Sequence, residues 1–244
     1  MTAIDPRLML QGYAMGIFPM ADSRTADEVF WVEPRSRAII PIDHFHLSHS
    51  LKRTLRSGKF RVTLDTAFIQ VLQSCADREE TWINADIERA MVSLHRLGHA
   101  HSIEVWDGGE LVGGLYGVKL GRAFFGESMF SRARDASKIA LAWLVARLRA
   151  GNFTLLDCQF MTEHLASLGA ISVPRETYVA LLSAALGGGA VGGSVAGALV
   201  EALGRSPDAP PDFFALDRLL ELAGAAGAAG PAGYVISQLL GQTS

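Results

Sequence analysis

The stretch between residues 99 and 131 limits the fold most. After His99-Ala100-His101, Ser102-Ile103-Glu104-Val105-Trp106, then Leu111–Lys119, then Arg122–Gly126 read as consecutive short strands. Asp107-Gly108-Gly109 between the first two is a strong hairpin signal. A chain that spends this much length on successive strands must build a sheet there. The run ends on Gly126-Glu127-Ser128-Met129-Phe130-Ser131, with a Glu inserted after the apolar Phe124-Phe125. About 25 residues later a second unusual strand follows, Leu155-Leu156-Asp157-Cys158-Gln159. Two carboxylates and an amide within strand-like apolar segments cost free energy to bury without partners. Such groups are usually kept for chemistry or for a polar network.

The rest of the chain can cover that sheet. Its 244 residues, 49% hydrophobic and 19% charged, suffice for one large globular domain or two smaller ones. No apolar run reaches the length of a membrane span, so none is expected. Met1-Thr2-Ala3-Ile4-Asp5-Pro6-Arg7 lacks the basic-then-apolar order of a signal peptide. Cys75 and Cys158 are far apart, which fits a reducing cytoplasm and argues against a disulfide scaffold. Net charge is −3, so the whole chain is not a basic nucleic-acid binder. Charge is unevenly spread, however. Arg35, Arg37, Lys52, Arg53, Arg56, Lys59 and Arg61 face only Asp43 in acid, a local net of +6 that suggests a patch for a polyanion. A solvated helix face is the plain alternative.

Three segments emerge. Residues 1–60 read as a small N-terminal α/β domain: a helix from Leu8 to Gly16, short extended pieces at 17–19 and 29–32, a strand from Arg37 to Ile42, and a basic helix from Ser48 to Ser57. Residues 61–186 alternate strands and helices, with Asp65 or Thr66 expected to cap the helix that carries Phe68, Val71 and Leu72. Helices are also expected over Asp86–Leu97, Ser137–Arg149, Thr162–Leu168 and Arg175–Leu186. In residues 187–244, Gly and Ala fill 24 of 58 positions, so a flexible tail is expected, with apolar helices only around Ser194–Leu203 and Phe213–Ala223.

Several motifs occur in order: Tyr13-x-x-Gly16-Ile17-Phe18-Pro19, Asp77-Arg78-Glu79-Glu80-Thr81-Trp82-Ile83, His95-x-x-Gly98-His99-Ala100-His101-Ser102-Ile103-Glu104-Val105-Trp106, Leu111-Val112-Gly113-Gly114, Gly126–Ser131 with Ala136-Ser137-Lys138, Asp157-Cys158-Gln159, and Ala166-Ser167-Leu168-Gly169-Ala170. Together, over roughly residues 8–180, they resemble the bacterial leucyl/phenylalanyl-tRNA–protein transferases. The resemblance implies an α+β fold: a small N-terminal domain followed by a domain like the Gcn5-related acetyltransferases, with a mixed sheet. It also implies an activity, transfer of Leu, Phe or Met from aminoacyl-tRNA onto the N-terminal Arg or Lys of a protein, which marks that protein for degradation.

That reaction is attack of an α-amine on an aminoacyl ester. With an unperturbed pKa of about 8, part of the amine is already neutral at neutral pH, and the ester is an activated carbonyl. Positioning with modest proton handling can supply most of the catalysis, and no cofactor, metal or covalent nucleophile is required. Asp157 and Gln159 alternate on one strand and so share a face. By resemblance they orient and deprotonate the attacking amine through the Gln carbonyl oxygen with Asp behind it; a structural pair at a strand end has the same spacing. The resemblance puts Glu127 at the aminoacyl pocket, near the donor's amino group or the incoming basic N-terminus, and a carboxylate suits either cation; a cap for the following helix is the alternative. The pocket lining would include Leu115, Phe124, Gly126, Ser128, Leu141, Leu144, Leu148 and Leu156, although a Leu stripe at helical spacing also describes plain core. Trp31 and Trp82 are candidates to stack on the terminal adenosine. Lys52, Arg53, Arg56 and Lys59 match the basic element that holds the acceptor stem, through phosphates rather than bases.

Many members carry Trp where this chain has Met20, a second Trp where it has Val32, and Tyr where it has Met91. These changes surround the expected donor site. Two rival classes fit the residues less well. An acyl-CoA-dependent N-acetyltransferase needs a Gly-rich pyrophosphate loop before its helix, where this chain has Ser128-Met129-Phe130-Ser131-Arg132. A non-catalytic binder of tRNA or of protein N-termini would keep the patch and pocket without needing Asp157 and Gln159. The His residues at 44, 46, 49, 95, 99 and 101 lack Cys or acid at a zinc spacing. No nucleophile-elbow motif accompanies any Ser.

Overall fold

A computed structural model describes residues 4–187, 210–225 and 232–241. Helix α1 (Pro6–Ala14) opens with Pro at its start and the Asp5 carboxylate on the Arg7 amide, both favourable at a helix N-terminus. Strands β1 (Phe18–Met20) and β2 (Phe30–Val32) form a two-stranded antiparallel sheet. Next come β3 (Ser36–Ile39), a 3-10 turn at Ile42–His44 and α2 (His49–Arg56), whose first turn is capped by the Ser48 hydroxyl. Then follow β4 (Arg61–Leu64), α3 (Phe68–Ala76), α4 (Ala85–Arg96), β5 (Ala100–Asp107), β6 (Glu110–Leu120) and β7 (Ala123–Ser131). The chain continues through α5 (Ala136–Ala150), β8 (Leu155–Gln159), α6 (Glu163–Ala166), β9 (Ile171–Pro174) and α7 (Arg175–Ala185), and ends in α8 (Ala215–Ala225) and α9 (Ala232–Gly241).

Seven strands form one mixed sheet in the order β4-β5-β6-β7-β8-β3-β9. Only β7 and β8 run parallel among its neighbours, and α5 is the crossover between them, as a parallel pair requires. Buried Ala and Leu surround α5 on most sides, because it is covered by sheet on one side and by α2, α8 and α9 on the other. It closes tightly on β6: a Cβ at Gly113 would fall 2.5 Å from that of Ala136. The opposite face of the sheet is covered by α1, α3, α4 and α7. This is the α+β, mixed-sheet architecture that the motifs implied. Among the described residues no helix is long and apolar enough to cross a membrane.

Several elements differ from the sequence reading. Strand β3 lies between β8 and β9 in the large sheet, so the segment read as a separate N-terminal unit contributes a strand to it. β7 runs on to Ser131 because Ser128–Ser131 keep pairing with β6. Asp65 does not cap α3, whose N-cap is Ala67 without a side-chain bond; Asp65 takes a left-handed φ of 57° and accepts from the Ser102 amide instead. Neither β9 nor α9 follows from the sequence pattern, the first being four residues long and the second lying in the Ala/Gly-rich segment. The helix expected at Phe213–Ala223 is α8; the one at Ser194–Leu203 lies outside the described residues.

Candidate active site

The site lies where β7 and β8 part. Their ladder holds only Ala123↔Leu155, Phe124↔Leu156 and Phe125↔Asp157. Beyond it β7 continues with Gly126, Glu127 and Ser128, β8 ends on Cys158 and Gln159, and a cavity of about 380 Å³ opens between them. The β6–β7 register also shifts here: Tyr116 pairs with Ser128 and Gly117 with Gly126, so Glu127 has no partner on β6. A bulged residue is re-aimed by the local kink, which is how a strand that reads as apolar presents a carboxylate to a cavity.

A chain of buried polar groups forms the back of this site. Asp157 is fully buried. Its carboxylate accepts from Arg37 Nε (2.9 and 3.1 Å) and Nη2 (2.7 Å), from Tyr178 Oη (3.0 Å) and from the Gln159 amide (2.8 Å). Arg37 is itself 2% exposed, lies between the rings of Phe18 and Tyr178 at 4.6 and 4.5 Å, and donates through Nη1 to the Gly16 carbonyl. A bidentate, fully hydrogen-bonded pair of this kind tolerates burial that an unpaired charge would not. Gln159 has a left-handed φ of 63°, a conformation uncommon for a residue with a side chain, and the Asp157 bond to its amide holds it there. Gln159 Nε2 donates to Glu127 Oε1 at 2.8 Å, and Tyr13 Oη donates to the same oxygen at 2.9 Å. Asp157 therefore acts on Gln159 through the backbone, and Gln159 acts on Glu127 through its side chain.

Three residues that line the cavity carry a polar atom left over. Glu127 Oε2, Tyr116 Oη and His164 Nε2 are buried and have no hydrogen-bond partner among the described residues. Burial pushes the Glu127 carboxyl up to about 8, with Asp157 adding to the rise, while the Tyr13 hydrogen bond, Arg37 and Gln159 oppose it. Burial also raises the Tyr13 phenol well above its ordinary value, keeping it a donor. Facing these groups is an apolar wall of Leu115, Leu141, Leu144, Leu156 and Leu165, with Trp82 half-buried at the edge. Such a cavity suits a ligand with an apolar side chain and a polar, amine-like group beside it.

Known proteins identify the frame. The model of the leucyl/phenylalanyl-tRNA protein transferase family matches residues 39–183, and the model of that family's N-terminal domain matches residues 2–35. The chain belongs to this family. A leucyl/phenylalanyl-tRNA–protein transferase of Rhizorhabdus wittichii is 60% identical over 251 aligned residues, covering all of both chains. Those of Zymomonas mobilis and Cereibacter sphaeroides are 61% and 60% identical, over 75% and 77% of this chain and 70% and 88% of theirs.

Of the residues expected at the donor pocket, Leu115, Gly126, Glu127, Ser128, Leu141, Leu144 and Leu156 line the cavity, and so do Gln159, expected at the attacking amine, and Trp82, expected at the terminal adenosine. Phe124, Leu148 and Trp31 do not. Phe124 lies where β7 and β8 are still paired, and its ring stacks on Phe213. Leu148 sits one turn of α5 past Leu144, in closed core. Trp31 packs its ring over Gly12, where a Cβ would fall 2.3 Å from it. Arg37, counted with the basic patch on sequence, is buried against Asp157 and leaves the patch. Its setting in the run Arg37-Ala38-Ile39-Ile40 is a usable signal, since an Arg inside an apolar strand needs a buried acid. Sequence reasoning quotes Tyr13 in a motif without giving it a role, and it misses Tyr178, which nothing local marks. Of the basic residues on and after α2, Arg53 is exposed, Lys52 and Arg56 are half-buried, and Lys59 pairs with Asp107 at 3.6 Å.

Proposed function

We propose that this protein transfers Leu, Phe or Met from aminoacyl-tRNA to proteins that begin with Arg or Lys, in the bacterial cytoplasm, marking them for degradation. The observation that carries the reading is the cavity between β7 and β8, where a wall of Leu side chains faces a buried carboxyl oxygen that has no partner among the described residues. The donor's side chain fills the Leu wall, and its α-amino group sits at Glu127 Oε2. Entry of that cation lowers the Glu127 pKa again, because an opposite charge favours the carboxylate.

The acceptor's α-amine then attacks the ester carbonyl. A C–N bond forms, the ester C–O bond breaks, and the proton lost by the amine ends on the ribose oxygen that leaves. Gln159 Nε2 is committed to Glu127, so its Oε1 is the atom left to accept from the attacking amine. Asp157 and Arg37 hold Gln159 in place and do not touch the substrates. Orientation is the main contribution, since the ester is activated and the amine is partly neutral at the working pH. Lys52, Arg53, Arg56 and Lys59 hold the acceptor stem through phosphates, with Trp82 at the adenosine.

The test is transfer of labelled leucine from Leu-tRNA to a peptide beginning with Arg, beside one beginning with Asp. Label on the Arg peptide alone is the expected result. Intact tRNA binding with no transfer to either peptide would reduce the protein to a binder. Acetylation of the peptide from acetyl-CoA would move it to the rival transferase class.

A further inference from the structure

Beyond residue 183, where the family match ends, α9 lies along the basic helix α2. The approach is close enough to need a glycine: a Cβ at Gly233 would fall 2.0 Å from the Leu55 carbonyl oxygen. Ile236 and Leu240 of α9 are buried in the same core as Leu51 and Leu55 of α2. Arg56 is gripped at this seam. Its Nε donates to Ser237 Oγ at 2.8 Å, and its guanidinium carbon lies 4.9 Å over the ring of Tyr234. Ser237 is fully buried and donates its own hydroxyl to the Tyr234 carbonyl at 2.8 Å, so its oxygen is aimed at Arg56.

The partners of Arg56 are neutral, and that distinguishes it from the chain's anchoring arginines. Arg37 is neutralised by Asp157 and Arg147 by Asp217. Among the described residues Arg56 has no carboxylate partner, and its Nε bond to Ser237 is its one side-chain hydrogen bond. A serine oxygen and an aromatic face fix the geometry of a guanidinium while leaving its full charge and its remaining donors for another group. We infer that α9 is a positioning element for tRNA binding: Tyr234 and Ser237 hold Arg56 in advance for a phosphate of the acceptor stem. A side chain already ordered loses less freedom on binding, and the gain appears as affinity. This inference rests on the proposed tRNA-binding role of α2.

The experiment measures binding of the full chain to Leu-tRNA across a salt series for Ser237→Ala, Tyr234→Leu, Arg56→Ala, Arg56→Lys and Arg53→Ala, with thermal unfolding of each. Ser237→Ala and Tyr234→Leu should each weaken binding by about threefold to tenfold, the effect of one hydrogen bond or one cation–π interaction. Their salt slope should be unchanged, since no charge is removed, whereas Arg56→Ala should lower it by the share of about one phosphate. In the Arg56→Lys background, which cannot make the Nε bond, Ser237→Ala should have no further effect. Wild-type affinity in both α9 variants, with Arg53→Ala weakened, would overturn the inference and leave the role of α2 standing. So would an equal loss for Ser237→Ala in the Arg56→Lys background. Unchanged affinity in Arg53→Ala and Arg56→Ala together would overturn the role of α2 itself. Tyr234 is 46% exposed, so Tyr234→Leu keeps the test open if Ser237→Ala fails to fold.

Discussion

Glu104 and Glu127 sit on neighbouring regions of one sheet, both buried, and they have opposite characters. On Glu104 both oxygens are satisfied: Oε2 accepts from Thr63 Oγ1 at 2.5 Å and Thr66 Oγ1 at 3.0 Å, and Oε1 from Ser102 Oγ at 2.5 Å. It is paired on both sides, with Gly114 on β6 and Thr63 on β4. On Glu127 one oxygen is satisfied and the other faces a cavity with no partner on it among the described residues. Burial alone therefore does not mark a functional acid. A carboxylate whose hydrogen-bonding capacity is complete holds the fold together; one left incomplete beside an open volume is held ready for a ligand.

The largest effect expected belongs to the group behind Glu127. Asp157→Ala strands the Arg37 guanidinium and leaves Tyr178 without its acceptor, and breaking a buried pair from one side costs about 3–5 kcal/mol. Urea unfolding measures that loss. In the fraction that remains folded, transfer should fall far more than tRNA affinity; an equal fall in both would remove Asp157 from the reaction's support.

Next comes the comparison itself. Glu104→Gln should cost about 1–3 kcal/mol of stability, because an amide places donors against hydroxyls and amides that all donate. Where it is folded it should transfer leucine like the wild type. Glu127→Gln should cost little stability, since the carboxyl it replaces is already biased toward its neutral form. Its transfer rate should fall at least tenfold through loss of the charge that receives the donor's amine, worth roughly 1.5–3 kcal/mol as a charged hydrogen bond. If both variants lose stability and activity alike, the distinction between the two acids is empty.

Much of the fold and site is readable from the chain, and the part that is not has a physical cause. The three strands between Ser102 and Gly126, the hairpin at Asp107-Gly108-Gly109, and Glu127, Asp157 and Gln159 all stand out because period-2 patterning and misplaced polar residues are local signals. Arg37 reads as part of a surface patch because its partner is 120 positions away, and only the insertion of β3 beside β8 brings the two together. The parting of β7 from β8 leaves no trace in either strand, so Phe124 and Leu148 look as suitable for the pocket as Leu115 and Leu144. Helix α9 is hidden by composition: the glycine that suggests a flexible tail at 233 is the residue that lets it seat on Leu55.

A pH series sharpens the contrast further. Glu127 holds its proton in the folded state up to about 8, well above its ordinary 4.5, so the folded protein binds more protons than the unfolded chain between those values. Stability from this group is then complete below the unfolded pKa, declines as pH rises through that window, and is flat above it. Glu127→Gln cannot titrate and should lack this component. The stability difference between wild type and variant, measured by urea unfolding at pH values from about 5 to 8.5, should shift steadily against the wild type. Parallel curves would mean that the carboxyl ionises as it does in water and is not held neutral.

The smallest effect expected lies on the surface, far from both acids. Arg53 is exposed, so its loss should leave stability nearly unchanged, while loss of Arg56 also gives up the bond to Ser237 at a cost of about 1 kcal/mol; beyond that, neutralising both acts on tRNA. Each phosphate left without its cation lowers the slope of log affinity against log salt by about 0.7–0.9, so the pair should flatten it by somewhat less than about 2. The weakening should be largest at low salt, where screening is least. It should also be indifferent to the sequence of the acceptor stem, since phosphates carry no base information. A slope equal to that of the wild type would detach α2 from tRNA, and the donor would then have to be held by the cavity and Trp82 alone.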